Sequence, residues 1–334
     1  MAKPRILSGM RPTGNLHLGN YVGALANWVD LQDEFECYFV VVDWHALTSD
    51  YADPSRLLEY EREMVIDWLA AGIDPDRSTV FVQSDVKEHA ELHLLLSMVV
   101  PLGWLERVPT YKEQILQLRE RNLETYGFLG YPLLQAADIL VYKASAVPVG
   151  DDQVPHLELT REIARRFNTL YGEIFPEPAA KLTRTPRLPG TDGRKMSKSY
   201  DNTLQLNESP DAMRPRILTM MTDPARKRRS DPGNPEVCPV FPFHTTFSSP
   251  EQIDWVDHGC RSASIGCIDC KTVMAENLFE AMRPFRDRRA EIVSRPERVR
   301  EVLGDGAARA RRVASETMRE VREAMKLVDP ERTP

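Results

Sequence analysis

The chain is poor in cysteine, with five among its 334 residues, and this scarcity excludes a small scaffold held together by a disulfide framework. Long apolar runs are missing too. The longest, such as residues 94–102, fall well short of the roughly 18 residues that a membrane span requires. The opening residues Met1-Ala2-Lys3-Pro4-Arg5 lead straight into a candidate strand, with no apolar signal core and no cleavage site. A cytoplasmic location with no membrane partner is therefore the expectation. Positive charge is not in excess either: the formal net charge is −7 and the sequence pI about 5.6. Nonspecific coating of DNA calls for the opposite balance, whereas a local basic patch on an acidic protein still serves a specific nucleic-acid partner. Internal repeats and low-complexity stretches are lacking as well.

What is present is enough apolar residue, 42% of the chain, to build a sizeable core, over a length that suggests about two domains. The first half alternates between two periods. Ile6-Leu7-Ser8, Tyr38-Phe39-Val40-Val41-Val42 and Thr79-Val80-Phe81-Val82 are short continuous apolar runs of the kind found in strands buried on both faces. Helical patterns over 21–31, 54–71 and 88–100 separate them, with Asp53 as the expected cap and Pro54 in the first turn of the second. This alternation predicts an α/β fold, a Rossmann-like parallel sheet with helices on both faces. After about Gly172 the pattern changes. Residues 176–193 are rich in Pro and Gly and read as a linker or long active loop. Helical patterns over 271–293 and 297–327 then predict an α-helical C-terminal domain, interrupted at 223–239 by Arg226-Lys227-Arg228-Arg229 and four prolines.

The first candidate strand ends at Ser8-Gly9 and runs through Arg11-Pro12-Thr13-Gly14-Asn15-Leu16-His17-Leu18-Gly19-Asn20 into a helix. A strand, a glycine-bearing turn and a helix N-terminus make an anion site, because unpaired backbone N–H groups and the positive helix end face the ligand. Gly14 and Gly19 allow close backbone approach, and His17 and Asn20 add side-chain donors. An ordinary strand–helix turn with a surface histidine fits this segment equally well. Much later comes Gly193-Arg194-Lys195-Met196-Ser197-Lys198-Ser199. Two lysines three apart, flanked by hydroxyl residues, suit a loop closing over a triphosphate, where ammonium groups stabilise charge on a leaving pyrophosphate. Taken alone, it also reads as a solvated basic loop.

Together the two segments resemble the class I aminoacyl-tRNA synthetases. Residues 13–20 look like the family's first signature, and Lys195-Met196-Ser197-Lys198-Ser199 reproduces its second letter for letter. One departure is visible, since the usual His-Ile-Gly-His reads His17-Leu18-Gly19-Asn20. Asn still donates to phosphate, and tryptophan enzymes of the class often carry it. By position the resemblance implies that Arg11, Pro12, Thr13, Gly19 and Asn20 border ATP, that Gly150, Asp151 and Asp152 meet its ribose, and that the backbone near Leu188 meets adenine. Lys195, Met196, Ser197, Lys198 and Ser199 form the closing loop, with Lys195, Lys198, His17 and Asn20 as the catalytic group and Mg2+ as the expected companion of ATP.

Tyr131-Pro132-Leu133-Leu134-Gln135-Ala136-Ala137-Asp138-Ile139-Leu140-Val141-Tyr142 is helical by pattern, with Pro132 in its first turn. Tyr131, Gln135, Asp138 and Tyr142 share one face by spacing. An aspartate among apolar neighbours needs a partner. That partner is a cap, a buried arginine or a donor on an apolar ligand. With Val147-Pro148-Val149-Gly150-Asp151-Asp152-Gln153, Asp43-Trp44-His45-Ala46-Leu47-Thr48 and Leu157-Glu158-Leu159-Thr160-Arg161, this segment looks like the tryptophanyl branch. There the matching aspartate accepts the indole N–H. The resemblance implies that Asp138, Tyr131, Gln135, Gln153 and His45 hold L-tryptophan, although His45 also reads as a core histidine. Indole offers a single donor, and a site built around it rejects Phe by leaving Asp138 unpaired; tyrosine is the near competitor.

Cys238, Cys260, Cys267 and Cys270 form the pattern C-x21-C-x6-C-x2-C, while Cys37 stands apart as an expected core residue. A close pair with two distant cysteines suits tetrathiolate ligation of zinc or of an iron–sulfur cluster, and coincidental free thiols give the same spacing. Some tryptophanyl enzymes carry a 4Fe–4S cluster on a pattern one residue longer. The resemblance therefore favours the cluster, with zinc as the alternative, and a structural or tRNA-recognition role. The basic run at 226–229, with Arg283, Arg286, Arg288 and Arg289, reads as a tRNA phosphate contact. The expected organisation is a catalytic domain over 1–190 and a closing loop plus tRNA anticodon-binding domain over 191–334. The expected activity is attachment of L-tryptophan to tRNA(Trp) by a homodimer, as the resemblance implies. A tyrosyl enzyme, a nucleotidyltransferase and a non-catalytic tryptophan- or tRNA-binding paralogue are the rivals.

Overall fold

The computed structural model describes residues 3–109, 111–112, 115, 122–150, 153–182 and 187–328. Within them, β1 (Arg5–Met10), β2 (Glu36–Val41), β3 (Ser78–Val82), β4 (Ala146–Val149) and β5 (Ala179–Leu182) form one sheet in the order β3-β2-β1-β4-β5, with every pairing parallel. The helices of the first half are α1 (Leu18–Asn20), α2 (Ala26–Glu34), α3 (Asp43–Asp50), α4 (Leu57–Ala71), α5 (Glu88–Ser97), α6 (Leu102–Glu106), α7 (Tyr126–Leu129), α8 (Tyr131–Val141) and α9 (Val154–Tyr171). A π-helical turn, Tyr21–Leu25, joins α1 to α2. The second half contains α10 (Pro210–Leu218), α11 (Phe241–Phe247), α12 (Pro250–Arg261), α13 (Cys267–Ala281), α14 (Arg283–Val293) and α15 (Pro296–Ala324).

The apolar runs are continuous because the sheet is buried on both faces. Cys37, Phe39 and Val41 of β2 point into a core shared with α2 and α4, where Trp28 stacks on Phe39 at 4.7 Å and meets Trp68 edge-on at 5.2 Å. Tyr38, Val40 and Val42 point the other way, into a core built with α5, α8, α9 and α15. Each fully buried large apolar side chain contributes roughly 1.5–3 kcal/mol.

The last helix, α15, returns to the sheet and covers its β3 edge. Gly306 makes the approach feasible, since a Cβ there would lie 1.8 Å from the Val80 carbonyl oxygen. Arg309 donates to the carbonyls of Pro75 and Ser78, and Arg322 grips Glu91 at 2.6 and 2.5 Å. An otherwise exposed strand edge is thereby shielded from other chains.

Two expected helices are cut shorter than their periodicity. The 54–71 pattern starts at Leu57, because the Asp53 carboxylate accepts the Ser55 N–H and closes a turn over Pro54. The 271–293 pattern is two helices, α13 and α14, meeting at Met282 just before Pro284, which lacks the N–H needed to continue the first. Among the described residues no helix is long and apolar enough to cross a membrane.

The sheet also sets where a ligand can enter. Strand order reverses between β1 and β4, and these two share a single paired position, Ile6 with Ala146. Beyond it their carboxyl ends separate, leaving the crevice in which open α/β sheets hold ligands.

Candidate active site

A cavity of about 320 Å³ occupies that crevice. Its walls come from β1 (Leu7, Ser8, Gly9), β4 (Val147, Pro148, Val149), His45 of α3 and one face of α8. All five side chains expected around the amino acid (Tyr131, Gln135, Asp138, Gln153 and His45) line it, and so does Arg11 of the phosphate turn. Apolar walls with a few polar groups suit a small ligand with one or two polar atoms.

Asp138 is 2% exposed and carries several hydrogen bonds. Its Oδ1 accepts from His89 Nδ1 at 2.6 Å and Gln83 Nε2 at 2.7 Å; its Oδ2 meets His45 Nε2 at 3.0 Å and Gln83 Nε2 at 2.8 Å. Burial alone would push this carboxyl up, but the His89 and His45 rings outweigh it and hold the group below the usual carboxylate range. Among the described residues no arginine bonds Asp138. His45 is thus both a buried histidine and a cavity wall. Tyr142 departs from the expected face: it caps α8 outside the cavity, stacks on Tyr38 at 4.8 Å and bonds His89 Nε2 through its hydroxyl at 2.7 Å. Sequence reasoning missed Gln83 and His89, and also His156, whose Nε2 lies 2.9 Å from the Tyr131 hydroxyl.

The phosphate turn begins where β1 ends. His17 caps α1: its Nδ1 accepts the Asn20 N–H at 3.3 Å while Asn20 Oδ1 accepts the His17 N–H at 3.0 Å. That pairing leaves the ring proton on Nε2. Burial, then the nearby Lys198 charge, pushes His17 down to about 4, so the ring is neutral at pH 7 and acts only as a hydrogen-bonding group. Gly14 adopts a φ of 131°, a conformation that suits glycine. Pro12 is buried, Arg11 and Thr13 are exposed, and Gly19 lies against the His17 ring.

The basic loop docks on this turn. Lys198 Nζ donates to the Gly14 carbonyl at 2.6 Å, and burial, followed by Arg11, pushes its ammonium down to about 8. Met196 is buried close to Gly19. Leu18 N–H donates to Leu204 and Leu206 N–H to Leu16, so the segment after the loop is stitched to the turn. Asn202, 1% exposed, pins the loop from within: its Oδ1 accepts the Ser197 N–H at 2.8 Å, and its Nδ2 donates to Asp192 at 2.7 Å and to the Lys195 carbonyl at 3.1 Å. Lys195 itself is exposed. Leu188 is buried, and the next residue, Pro189, bridges to Lys195. Gly150 follows β4 and is half-buried; Asp151, Asp152 and the side chain of Ser199 lie outside the described residues.

The four clustered cysteines are all partly buried. Burial pushes the Cys270 thiol up to about 12, and the other three thiols of the group push it the same way. Cys270 Sγ lies 3.3 Å from His244 Nε2, and Arg226 donates to Cys260 Sγ at 3.8 Å. Among the described residues no three such groups stand close enough to share one metal ion. Arg226 also donates to the Arg229 and Ile265 carbonyls, and Arg229 pairs with Asp269. Arg288 holds the Ala70 carbonyl, and Arg289 bonds Asp67 at 2.8 Å and Glu63. Of the arginines read as phosphate contacts, Arg226 and Arg229 are thus engaged within the C-terminal half, and Arg288 and Arg289 tie α14 onto α4. Cys37 is buried in the sheet, as expected of a core residue.

A family model described as tRNA synthetases class I (W and Y) matches residues 1–283. The chain belongs to this family. Within it, the chain is 59% identical to a tryptophan–tRNA ligase of Thermotoga maritima, covering 97% of this chain and 99% of that one. It is 47% identical to a tryptophan–tRNA ligase of Ralstonia nicotianae over 98% and 99% of the two chains. The fold superimposes on a crystal structure of the Campylobacter jejuni tryptophanyl-tRNA synthetase complexed with ADP and tryptophan, with a TM-score of 0.88, 34% identity and coverage of 96% and 99%. The Rossmann-like sheet and helical C-terminal region are those of a class I synthetase.

Proposed function

We propose that the chain is a tryptophan–tRNA ligase, joining L-tryptophan to tRNA(Trp) through a tryptophanyl-adenylate. The observation that carries this reading is the placement of a buried, ionised Asp138 and the phosphate-turn residue Arg11 on the walls of one cavity. Asp138 takes the indole N–H, with Tyr131, Gln135, Gln153 and His45 completing the amino-acid side. The tryptophan carboxylate attacks the α-phosphorus of Mg-ATP in line, and the bond to the bridging oxygen breaks to release pyrophosphate. Lys195 and Lys198 neutralise the departing charge, and His17 and Asn20 donate neutral hydrogen bonds. ATP is bordered by Arg11, Pro12, Thr13, Gly19, Asn20, Gly150, Asp151, Asp152, Leu188 and the loop residues Lys195, Met196, Ser197, Lys198 and Ser199. A terminal ribose hydroxyl of the tRNA then attacks the activated carbonyl, and AMP leaves. No protein nucleophile is needed, so positioning and electrostatics carry both steps.

In this reading residues 1–190 form the catalytic domain and 191–334 carry the closing loop and the tRNA anticodon-binding domain, in a cytoplasmic homodimer. Cys238, Cys260, Cys267 and Cys270 hold a 4Fe–4S cluster. The C-x21-C-x6-C-x2-C spacing and the partial burial of all four thiols support this reading. Four thiolates would ligate such a cluster, and the same tetrathiolate set would also suit zinc. The cluster supplies structure near the tRNA-binding helices. Aminoacylation tests the function: labelled tryptophan should be transferred to tRNA(Trp) in the presence of ATP and Mg2+, and failure to charge that tRNA would overturn the reading.

A further inference from the structure

His89 does not line the cavity and is 0% exposed, yet it makes the shortest hydrogen bond to Asp138, 2.6 Å from Nδ1 to Oδ1. On its other side Nε2 lies 2.7 Å from the Tyr142 hydroxyl, which is itself fully buried and stacked on Tyr38. We propose that His89, held in one tautomer by Tyr142, is a positioning residue for amino-acid recognition that keeps Asp138 a fixed, acceptor-only carboxylate. The inference rests on the tryptophan reading above and deepens it.

Chemistry fixes the direction of each bond. Asp138 accepts, so the proton between it and His89 sits on Nδ1. Burial and then the Asp138 charge raise the Tyr142 hydroxyl well above its ordinary range, so it keeps its proton; in the proposed neutral ring, with the proton on Nδ1, Nε2 accepts from that hydroxyl. Swapping the tautomer would break both bonds at once. His89 and Gln83 on Oδ1, and His45 and Gln83 on Oδ2, fix the carboxylate plane and reach all its lone-pair positions, so an indole N–H joins at an oxygen by sharing with Gln83 Nε2, which is already divided between the two. An ionised carboxylate so held accepts an indole N–H but cannot donate to a ligand acceptor. The other titratable groups around it are His45 on α3, His93 on α5 and Tyr142 at the end of α8. His93 is pushed down by burial and is neutral, with Asp138 partly opposing that shift. Among the described residues, α9 and α15 bring no charged group into hydrogen-bond contact with Asp138.

If His89 is removed, the Asp138 carboxylate loses its shortest hydrogen bond, and the carboxyl takes up a proton at a higher pH. The test is tryptophan-dependent ATP–pyrophosphate exchange between about pH 5 and about pH 8 on the wild type, His89→Leu, His89→Asn and Tyr142→Phe. Asn places an N–H donor where Nδ1 stands; Leu does not. Relative to wild type, His89→Leu should raise KM for tryptophan by about tenfold or more, the effect of one charge-assisted hydrogen bond, with a much smaller change in KM for ATP. The acid limb of kcat/KM for tryptophan should move to higher pH in His89→Leu, return toward wild type in His89→Asn, and move less far in Tyr142→Phe. Equal losses in Leu and Asn with a stationary limb would overturn the proposal, as would an unchanged tryptophan KM in His89→Leu. If His89→Leu does not fold, Tyr142→Phe, which deletes a single oxygen, decides by itself: a stationary limb overturns the proposal. Absence of tryptophan-dependent exchange in the wild type would instead overturn the functional reading beneath it.

Discussion

Lys198 donates its ammonium to the Gly14 carbonyl oxygen at 2.6 Å, latching the basic loop to the phosphate turn across 184 positions of sequence. A Cβ on Gly14 would come within 3.0 Å of the Lys198 side chain, so the latch needs glycine for space as well as for backbone conformation.

This latch has a pH signature. The Lys198 ammonium is pushed down to about 8, mainly by burial and then by Arg11, so its charge is lost as pH rises through that value. Capture of ATP, read as kcat/KM for ATP in pyrophosphate exchange, should therefore fall above about pH 8. Bound triphosphate raises the ammonium again, so kcat should hold to higher pH. Lys198→Ala should remove this limb and lower kcat by roughly 10²–10³-fold, and Lys195→Ala should cost about 2.7–4 kcal/mol of barrier. An unchanged exchange rate in Lys195→Ala would contradict its role.

The contact of α15 with the sheet is a stability prediction independent of catalysis. Gly306→Ala places a methyl 1.8 Å from the Val80 carbonyl oxygen, against backbone that cannot swing aside. Denaturant unfolding should show a loss of about 3 kcal/mol, with the amide protons of β3 and α15 exchanging fastest relative to wild type. Gly304, where an added Cβ meets nothing, is the control.

Glu61 makes stability fall as pH rises. Burial, then Asp43 and Asp85, raises its carboxyl to about 7. An acid whose folded pKa is raised binds its proton more tightly folded than unfolded, so its penalty is absent below the unfolded value near 4.3 and grows as pH rises toward about 7. Glu61→Gln should accordingly stabilise the protein by about 1 kcal/mol at pH 8, after allowance for solvent screening, and by far less at pH 5. Thermal unfolding at both pH values checks this; an equal effect at both would contradict it.

The cysteine site is open to metal analysis. Protein purified without air should contain about four irons and four acid-labile sulfides per chain, and Cys267→Ser should lose them together with stability in the C-terminal helices. Stoichiometric zinc without iron would replace the cluster by the tetrathiolate alternative.

Local chemistry made part of this fold legible. The runs at β1, β2 and β3 are apolar on both faces, so they read as strands whatever surrounds them. Asp138 stood out as a lone acid in an apolar helix. Its partners did not, because Gln83 lies 55 residues away and His89 lies 49 away, and no local pattern marks a tertiary hydrogen bond. Arg288 and Arg289 looked like phosphate contacts for the same reason: their partners on α4 are 218 to 226 positions distant. β4 was hidden by Pro148, since a proline argues against an interior strand. It is tolerated beyond the Ile6–Ala146 pairing, where β1 has already left β4 and no ladder bond on that side is lost.

Amino-acid-dependent ATP–pyrophosphate exchange, run with each of the twenty standard amino acids on the purified protein, is the most direct test of a cavity built around one ionised acceptor. Tryptophan alone should support rapid exchange, with tyrosine and phenylalanine near background. Exchange driven by tyrosine at a comparable rate, or by no amino acid at all, would contradict the account.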